Sequence, residues 1–398
     1  MMVDLALAQA DAWVHVVALQ AAPEEYAGLH QALFLPALDA FAPAGLEVTA
    51  VGKPAYVYRV PAQLDDGWKT SSLDAVGIDR EMITRLTNQI MNEQYEGIHS
   101  LLIVKNGALV HEAYFGGYDR DSLHPLFSIT KSVTSALIGI AIEEGFIQGV
   151  DVTLLSLLPE YAAQMDDERK QEITLEHLLT MTAGLEWDES TYPYSDPRNS
   201  HYYMNEADDW MAYVISKPLQ DAPGTQFAYN TGAVHLMAAI IEGSTGQHAN
   251  QFARERLFGP LDIVSDLWPR DPQGYPYTGG SDGGLRLKAR DLAKFGYLFL
   301  NRGTWIGKPV IPEDWVAAST LPRVELDPGS GYGYLWWLGS FTIKGRELDF
   351  INAEGYGGQL ISLVPELDLM VVFTSWDEEQ GADIAGPLMT IYQAALND

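Results

Sequence analysis

Apolar residues along this chain alternate between two spacings, and the changes of spacing mark out its elements. Residues 79–93 carry Met82, Leu86 and Ile90 at intervals of four, the spacing of one helix face. Two apolar runs follow, 99–105 and 108–115, joined by Asn106-Gly107. Asn-Gly suits the two positive-φ positions of a tight hairpin turn, so the runs predict paired strands. A helical, almost wholly apolar pattern begins at Ser128 and runs to Ile142, which predicts a buried helix. Residues 145 to about 300 read as mostly helical and loop-rich, with periodic stretches at 175–182, 210–216, 234–242 and 291–301. Strand patterns return at 332–341, then at 359–364 and 369–375 as a hairpin around Pro365-Glu366-Leu367-Asp368. A helix closes the chain from about Ala382.

Strands at both ends with helices between them predict an α/β (α+β) fold built from discontinuous segments. Residues 66–144 and 301–398 supply an antiparallel sheet flanked by helices, and 145–300 form a mostly helical domain. Residues 1–65 are alanine-rich, with prolines at 23, 36, 43, 54 and 61. They predict short helices and a crossing segment that wraps the main body. A cleft between the sheet and the helical part is the default place for a site.

Composition narrows the functional classes. The chain has 398 residues, 47% hydrophobic and 20% charged, enough for a large core. Its 54 acidic residues against 24 Lys and Arg give a net charge of −30. That balance argues against nucleic acid and anionic membrane as partners and predicts a well-solvated surface. The chain has no cysteine, which excludes disulfides, thiol catalysis and cysteine metal sites. The first residues lack a basic n-region and no apolar run reaches membrane-span length. A soluble, cytoplasmic protein is expected, or a periplasmic one if a signal segment has been removed. There is no His-Glu-x-x-His, P-loop or strand-linked Gly-x-Gly-x-x-Gly, so neither a metal nor another cofactor is expected.

Three segments carry candidate chemistry. The first is Ser128-Ile129-Thr130-Lys131 at the start of the apolar helix, the one Ser-x-x-Lys in the chain. Residues three apart share a helix face, and a helix N-terminus offers unpaired N–H groups and partial positive charge. A serine there can act as nucleophile, with a lysine kept neutral by its surroundings as base. A capping serine with a snorkelling lysine is the structural alternative. The second segment is the Pro223-Gly224 turn leading to Tyr229-Asn230-Thr231. Tyr229 there can share a proton with Ser128 and Lys131, provided an ammonium lowers its pKa, or it can simply pack. The third is Gly355-Tyr356-Gly357-Gly358-Gln359, entering a strand. Glycines at a strand edge admit a substrate carbonyl, and an N–H there can join that of Ser128 in an oxyanion hole; a β-bulge is the alternative.

In this order and at these separations the segments resemble the serine β-lactamase and penicillin-binding-protein superfamily. The nearer branches are class C β-lactamases, family VIII carboxylesterases and 6-aminohexanoate-dimer hydrolases. The resemblance covers roughly residues 65–395 and takes in Ser281-Asp282-Gly283-Gly284-Leu285-Arg286-Leu287 and Tyr332-Gly333-Tyr334-Leu335-Trp336-Trp337. It implies Ser128 as nucleophile, Lys131 as its activating partner, Tyr229 as general base, and the Ser128 and Gln359 N–H groups as oxyanion hole. Two positions depart from the pattern. The Tyr-x-Asn motif ends in Thr231, leaving Asn230 to compensate, and Tyr356-Gly357-Gly358 stands where β-lactamases carry Lys-Thr-Gly. Without that lysine beside a substrate carboxylate, the resemblance implies an esterase or amidase acting on small-molecule substrates with uncharged acyl groups. The alternatives are an amide hydrolase of the 6-aminohexanoate or D-amino-acid peptide kind, and a penicillin-binding sensor that acylates and stops.

Gly279-Gly280-Ser281-Asp282-Gly283 also matches the nucleophile elbow of α/β-hydrolases. That fold needs a histidine after the serine, and the last one here is His248. The segment is expected instead to line the cleft opposite Ser128, with Asp282 at the substrate or in a plain turn. The loop 187–203 holds Tyr192, Tyr194, Tyr202 and Tyr203 and is either a cover over the acyl pocket or a packed surface loop. Trp336 and Trp337 alternate faces, so at most one faces the cleft.

Overall fold

The Asn106-Gly107 turn forms as its residues demand, with φ of 52° and 70°. It sits in a computed structural model that describes residues 2–10, 13–21, 49–50, 55–265, 267–376 and 381–396. In chain order the strands are β1 (Met2–Ala10), β2 (Trp13–Ala21), β3 (Thr49–Ala50), β4 (Lys69–Thr70), β5 (Ile98–Lys105) and β6 (Ala108–Tyr114). Then come β7 (Leu123–Pro125), β8 (Arg286–Lys288), β9 (Thr304–Trp305), β10 (Lys308–Pro309) and β11 (Val324–Glu325). The last are β12 (Ser330–Tyr332), β13 (Trp337–Ile343), β14 (Arg346–Gly355), β15 (Gln359–Val364) and β16 (Leu369–Ser375). The long helices are α1 (Arg80–Met91), α2 (Ile129–Glu143), α3 (Thr231–Thr245), α4 (Ala289–Leu300) and α5 (Ala385–Ala395).

Nine strands form the main sheet, in the order β11-β12-β13-β14-β15-β16-β5-β6-β4. Its pairings are antiparallel except β4 with β6. Strands from both ends of the chain therefore share one sheet. Successive side chains of a strand point to opposite faces. Leu102 and Val104 of β5 join the core under α2 and α3, while Leu101 and Ile103 join the core under α1 and α5. Because both faces are covered, β5, β15 and β16 read as continuous apolar runs. α2 is buried along nearly its whole length and packs between α3 and the β14–β15 pair.

Three expectations need revision. Residues 332–341 are not one strand, because β12 turns into β13 through 333–336 with Leu335 at φ 64°. Gly333 runs so close to the Ser319 carbonyl that a Cβ would stand 2.1 Å from its oxygen, and that carbonyl accepts the Tyr334 N–H at 2.9 Å, taking it out of the ladder. Near the N-terminus, β1 and β2 pair as a hairpin where short helices were expected. The period-two spacing of Val3, Leu5 and Leu7 outweighs the alanine content there. The wrapping path expected for 22–48 lies outside the described residues. Finally, α4 falls within 145–300 yet packs on the sheet, with Gly296 against Ile361 and Met370. We propose the discontinuous division of the chain with α4 assigned to the sheet half.

Candidate active site

α2 begins one residue after Ser128, so Ser128 is its N-cap and Lys131 lies one turn on, on the same face. The Lys131 Nζ donates to Ser128 Oγ at 2.8 Å and to the Gly279 carbonyl at 2.5 Å. Lys131 is only 2% exposed. Burial brings its pKa down to about 8, against the Glu189 carboxylate, which favours the ammonium. The lysine is thus eased toward neutrality by desolvation.

Tyr229 completes a triangle. Its ring centroid is 4.9 Å from Lys131 Nζ, and Trp337 stacks on its other side at 5.8 Å and 19°. Burial pushes the Tyr229 phenol well above its ordinary pKa, Glu189 adds to the rise, and a hydrogen bond with Ser128 opposes it. Trp336 packs instead against Phe295 and Phe299, so Trp337 alone of the pair reaches the Tyr229 side.

The chain enters α2 through a strained residue. Phe127 has φ 47°, a conformation costing roughly 1–3 kcal/mol for a side chain of this size. Its N–H donates to the Gly283 carbonyl at 2.8 Å, and its ring stacks on Trp376 at 5.1 Å. Gly280, at φ 89°, lies where a Cβ would stand 2.4 Å from the Phe127 oxygen. Gly355 approaches the Leu126 carbonyl as closely, 2.3 Å from a built Cβ, and brings the β14–β15 turn beside Ser128.

Ser128 opens onto a cavity of roughly 840 Å³. Tyr194, Thr231, Asp282 and Tyr356 all line it. Tyr194 and Tyr356 meet edge to face at 5.6 Å. The 187–203 loop thus contributes Tyr194 to the cavity wall, whereas Tyr192 covers the Arg198 guanidinium at 4.0 Å. Asn230 does not join the wall: its side-chain oxygen accepts the Ala233 N–H at 2.8 Å and caps α3. Gly357 and Gly358 take φ 79° and 93° in the turn, with Trp376 over Gly357, and contribute backbone rather than wall. Gln359 turns its side chain onto the Ser375 backbone, accepting its N–H at 3.1 Å and donating to its carbonyl, and so clamps β15 to β16.

Glu189 was missed by the sequence reading. It is buried and accepts from Trp187 Nε1 (2.7 Å), Tyr194 Oη (3.0 Å), Thr231 N (2.8 Å) and Thr231 Oγ1 (2.5 Å). One carboxylate therefore ties the tyrosine loop to the start of α3 and sets the field at Lys131 and Tyr229. Only its place inside the aromatic loop hinted at a role. The 279–283 segment does not face Ser128 from across the cleft as expected but packs beside it, a Cβ on Gly280 standing 3.1 Å from Ser128 N, and its Ser281 Oγ lies 2.7 Å from His201 Nε2. The Asn205 amide donates to His201 Nδ1 at 3.4 Å, which leaves the proton on Nε2. In that tautomer His201 donates to Ser281.

Among the described residues no group of three or more His, Cys, Asp or Glu could hold a metal ion, and no helix is long and apolar enough to cross a membrane.

The model of the beta-lactamase family matches residues 83–392. The chain belongs to the beta-lactamase family. Its fold is the β-lactamase-like one and its class is that of the family's serine hydrolases. Among similar proteins, the 6-aminohexanoate-dimer hydrolase of Paenarthrobacter ureafaciens is 24% identical over 319 residues, 75% of this chain and 77% of the relative. Esterase EstB of Burkholderia gladioli is 25% identical over 191 residues, 44% of this chain and 48% of the relative. Among solved structures, EstCE1, a hydrolase with promiscuous acyltransferase activity, superposes with a TM-score of 0.64 at 18% identity, covering 80% of this chain and 98% of its own. The penicillin-binding protein of Bacillus halodurans gives 0.58 at 18% identity, covering 77% and 99%. At these identities the superpositions speak for the beta-lactamase-family fold alone.

Proposed function

We propose that this protein is a carboxylesterase that works through a Ser128 acyl-enzyme. The observation that carries the reading is the Ser128–Lys131–Tyr229 cluster opening onto the cavity. A neutral Lys131 has two N–H bonds and one lone pair. At rest Nζ donates to Ser128 Oγ and to the Gly279 carbonyl; once deprotonated, it can keep one N–H on Gly279 and turn its lone pair to Oγ across the same 2.8 Å contact. Lys131 is the resident base, because the raised Tyr229 pKa keeps that phenol protonated at rest. As Oγ attacks the ester carbonyl, its proton passes to Lys131. The N–H groups of Ser128 and Gln359 hold the oxyanion, each worth about 3 kcal/mol of barrier. When the tetrahedral intermediate collapses, Tyr229 gives its proton to the leaving alkoxide and regains one from the Lys131 ammonium. Water then enters by the same steps in reverse, releasing the acid and restoring Ser128. Tyr356, in place of a lysine, favours an uncharged group beside the reacting carbonyl.

Ser128→Ala is expected to abolish hydrolysis of p-nitrophenyl butyrate with unchanged circular dichroism, while Ser281→Ala costs at most about tenfold. Retained activity in Ser128→Ala would remove the assignment. The similarity to a 6-aminohexanoate-dimer hydrolase over three-quarters of the chain favours amide hydrolysis as a second reading. Turnover of the linear aminohexanoate dimer at a higher kcat/KM than the butyrate ester would select it.

A further inference from the structure

Among the described residues the cavity has one Arg or Lys on its wall, Arg286, and nothing in the acyl-enzyme scheme uses it. We propose that Arg286 binds a substrate carboxylate remote from the scissile bond, so that the preferred substrate is an ester bearing a free acid on its acyl or alcohol part. The proposal rests on the acyl-enzyme reading and names the substrate class of that same site.

Backbone geometry fixes where the guanidinium starts. Arg286 opens β8 and pairs with Pro125 of β7, three residues before the nucleophile. Its Nη2 lies 4.0 Å from where a Cβ on Gly283 would stand, and Gly283 in turn accepts the Phe127 N–H. Cation and nucleophile are therefore held to the same rigid β7–α2 segment. Its near neighbours in sequence are neutralised: Lys288 Nζ is 2.6 Å from Asp121, and Arg290 is 2.6 Å from Asp66 and 2.7 Å from Glu112. Arg286 makes no ion pair among the described residues, although Asp282 lines the same cavity.

The wall beside it suits the rest of such a substrate. Tyr118, Leu123, His124 and Pro125 give an aromatic and apolar surface that leads toward Ser128. Burial lowers the His124 pKa, its hydrogen bond with the Pro125 carbonyl opposes the fall and the Arg286 charge adds to it, while its Nε2 is engaged by His99 Nδ1 at 2.8 Å. Both of its ring nitrogens are thereby engaged, by His99 and by the Pro125 carbonyl. A guanidinium forks onto a carboxylate through two parallel N–H bonds, which gives it geometric selectivity as well as charge. Tyr356 leaves the scissile end without a cation, so Arg286 is the point where an acid group finds one.

The test compares p-nitrophenyl hexanoate with the mono-p-nitrophenyl ester of adipic acid for the acyl side. Phenyl butyrate against 3-(butyryloxy)benzoate serves for the alcohol side. The readout is the charged-to-neutral ratio of kcat/KM in wild type, Arg286→Gln and Arg286→Lys. The ratio is expected to fall at least tenfold in Arg286→Gln for one of the two pairs, mainly through KM, with partial recovery in Arg286→Lys. The pair that responds tells which part of the substrate carries the acid. An unchanged ratio in both pairs would overturn the proposal. Calorimetric binding of adipate gives a readout without turnover: Ser128→Ala is expected to bind it, and adding Arg286→Gln to weaken binding at least fivefold, with equal binding again overturning it. Hydrolysis of the neutral esters by Ser128→Ala would defeat the acyl-enzyme reading instead, so the two failures are distinct.

Discussion

In the proposed acyl-enzyme scheme Lys131 must lose its proton before it can take one from Ser128. Its pKa of about 8 is a balance between burial, which lowers it, and Glu189, which raises it. The neutral amine prevails above that pKa, so kcat/KM for a neutral ester is expected to rise with pH through about 8. Glu189→Gln removes the charge that favours the ammonium while keeping an acceptor for Tyr194 and Thr231. The midpoint of the rising limb is then expected to move to lower pH, whatever happens to the absolute rate. A pH–rate profile of the two proteins decides this. A midpoint that stays in place or rises would show that the limb belongs to another group. In the sequence, Ser128, Lys131 and Tyr229 were legible because motif spacing and helix periodicity encode them. Glu189 was not, since its importance comes from four donors that converge only after the 187–203 loop folds over the start of α3.

Between elements, the site depends on close backbone approaches that permit no side chain. Gly280 combines φ 89° with a Cβ position 2.4 Å from the Phe127 oxygen. Alanine there would take an unfavourable backbone conformation and push on the residue that sets Ser128. Gly280→Ala is expected to lower stability by about 1–3 kcal/mol and kcat by about a hundredfold, since an ångström of misplacement has that effect. Gly274 is the control: its φ is 93° but nothing lies within 4 Å of a built Cβ. Gly274→Ala should cost about 1 kcal/mol with activity intact. Urea melts and steady-state kinetics separate the two, and equal kinetic effects would refute the packing argument. Elements were legible where local signals were strong, as in the β5–β6 hairpin and the β15–β16 hairpin. The turn between β12 and β13 was not, because Gly333 and Tyr334 lie against the Ser319 carbonyl, a contact remote in sequence. Asn230 was assigned toward the substrate by motif position, but capping α3 claimed its side chain.

For the molecule as a whole, the net charge of −30 makes self-repulsion a general cost of folding, while local ion pairs work against it. The principal example is Arg290, whose side chain is 4% exposed. It binds Asp66 at 2.6 Å, Glu112 at 2.7 and 2.8 Å and the Ala62 carbonyl at 3.0 Å, tying the 62–66 segment, β6 and α4 together. Removing it strands the largely buried Glu112, which keeps Arg120 at 3.2 Å and Tyr114 as partners. Arg290→Ala is therefore expected to cost about 3 kcal/mol, the lower end for a broken buried pair. The two effects respond differently to salt. Surface repulsion acts over distances that about 0.5 M NaCl screens, whereas a buried pair is screened little. Wild-type Tm should rise between about 0.02 and 0.5 M NaCl as repulsion fades. The deficit of Arg290→Ala relative to wild type should stay nearly constant over that range. A deficit that vanishes in salt would mean that the network acts as a surface charge patch, and a wild-type Tm that falls would mean that attractive pairs outweigh the excess of acid.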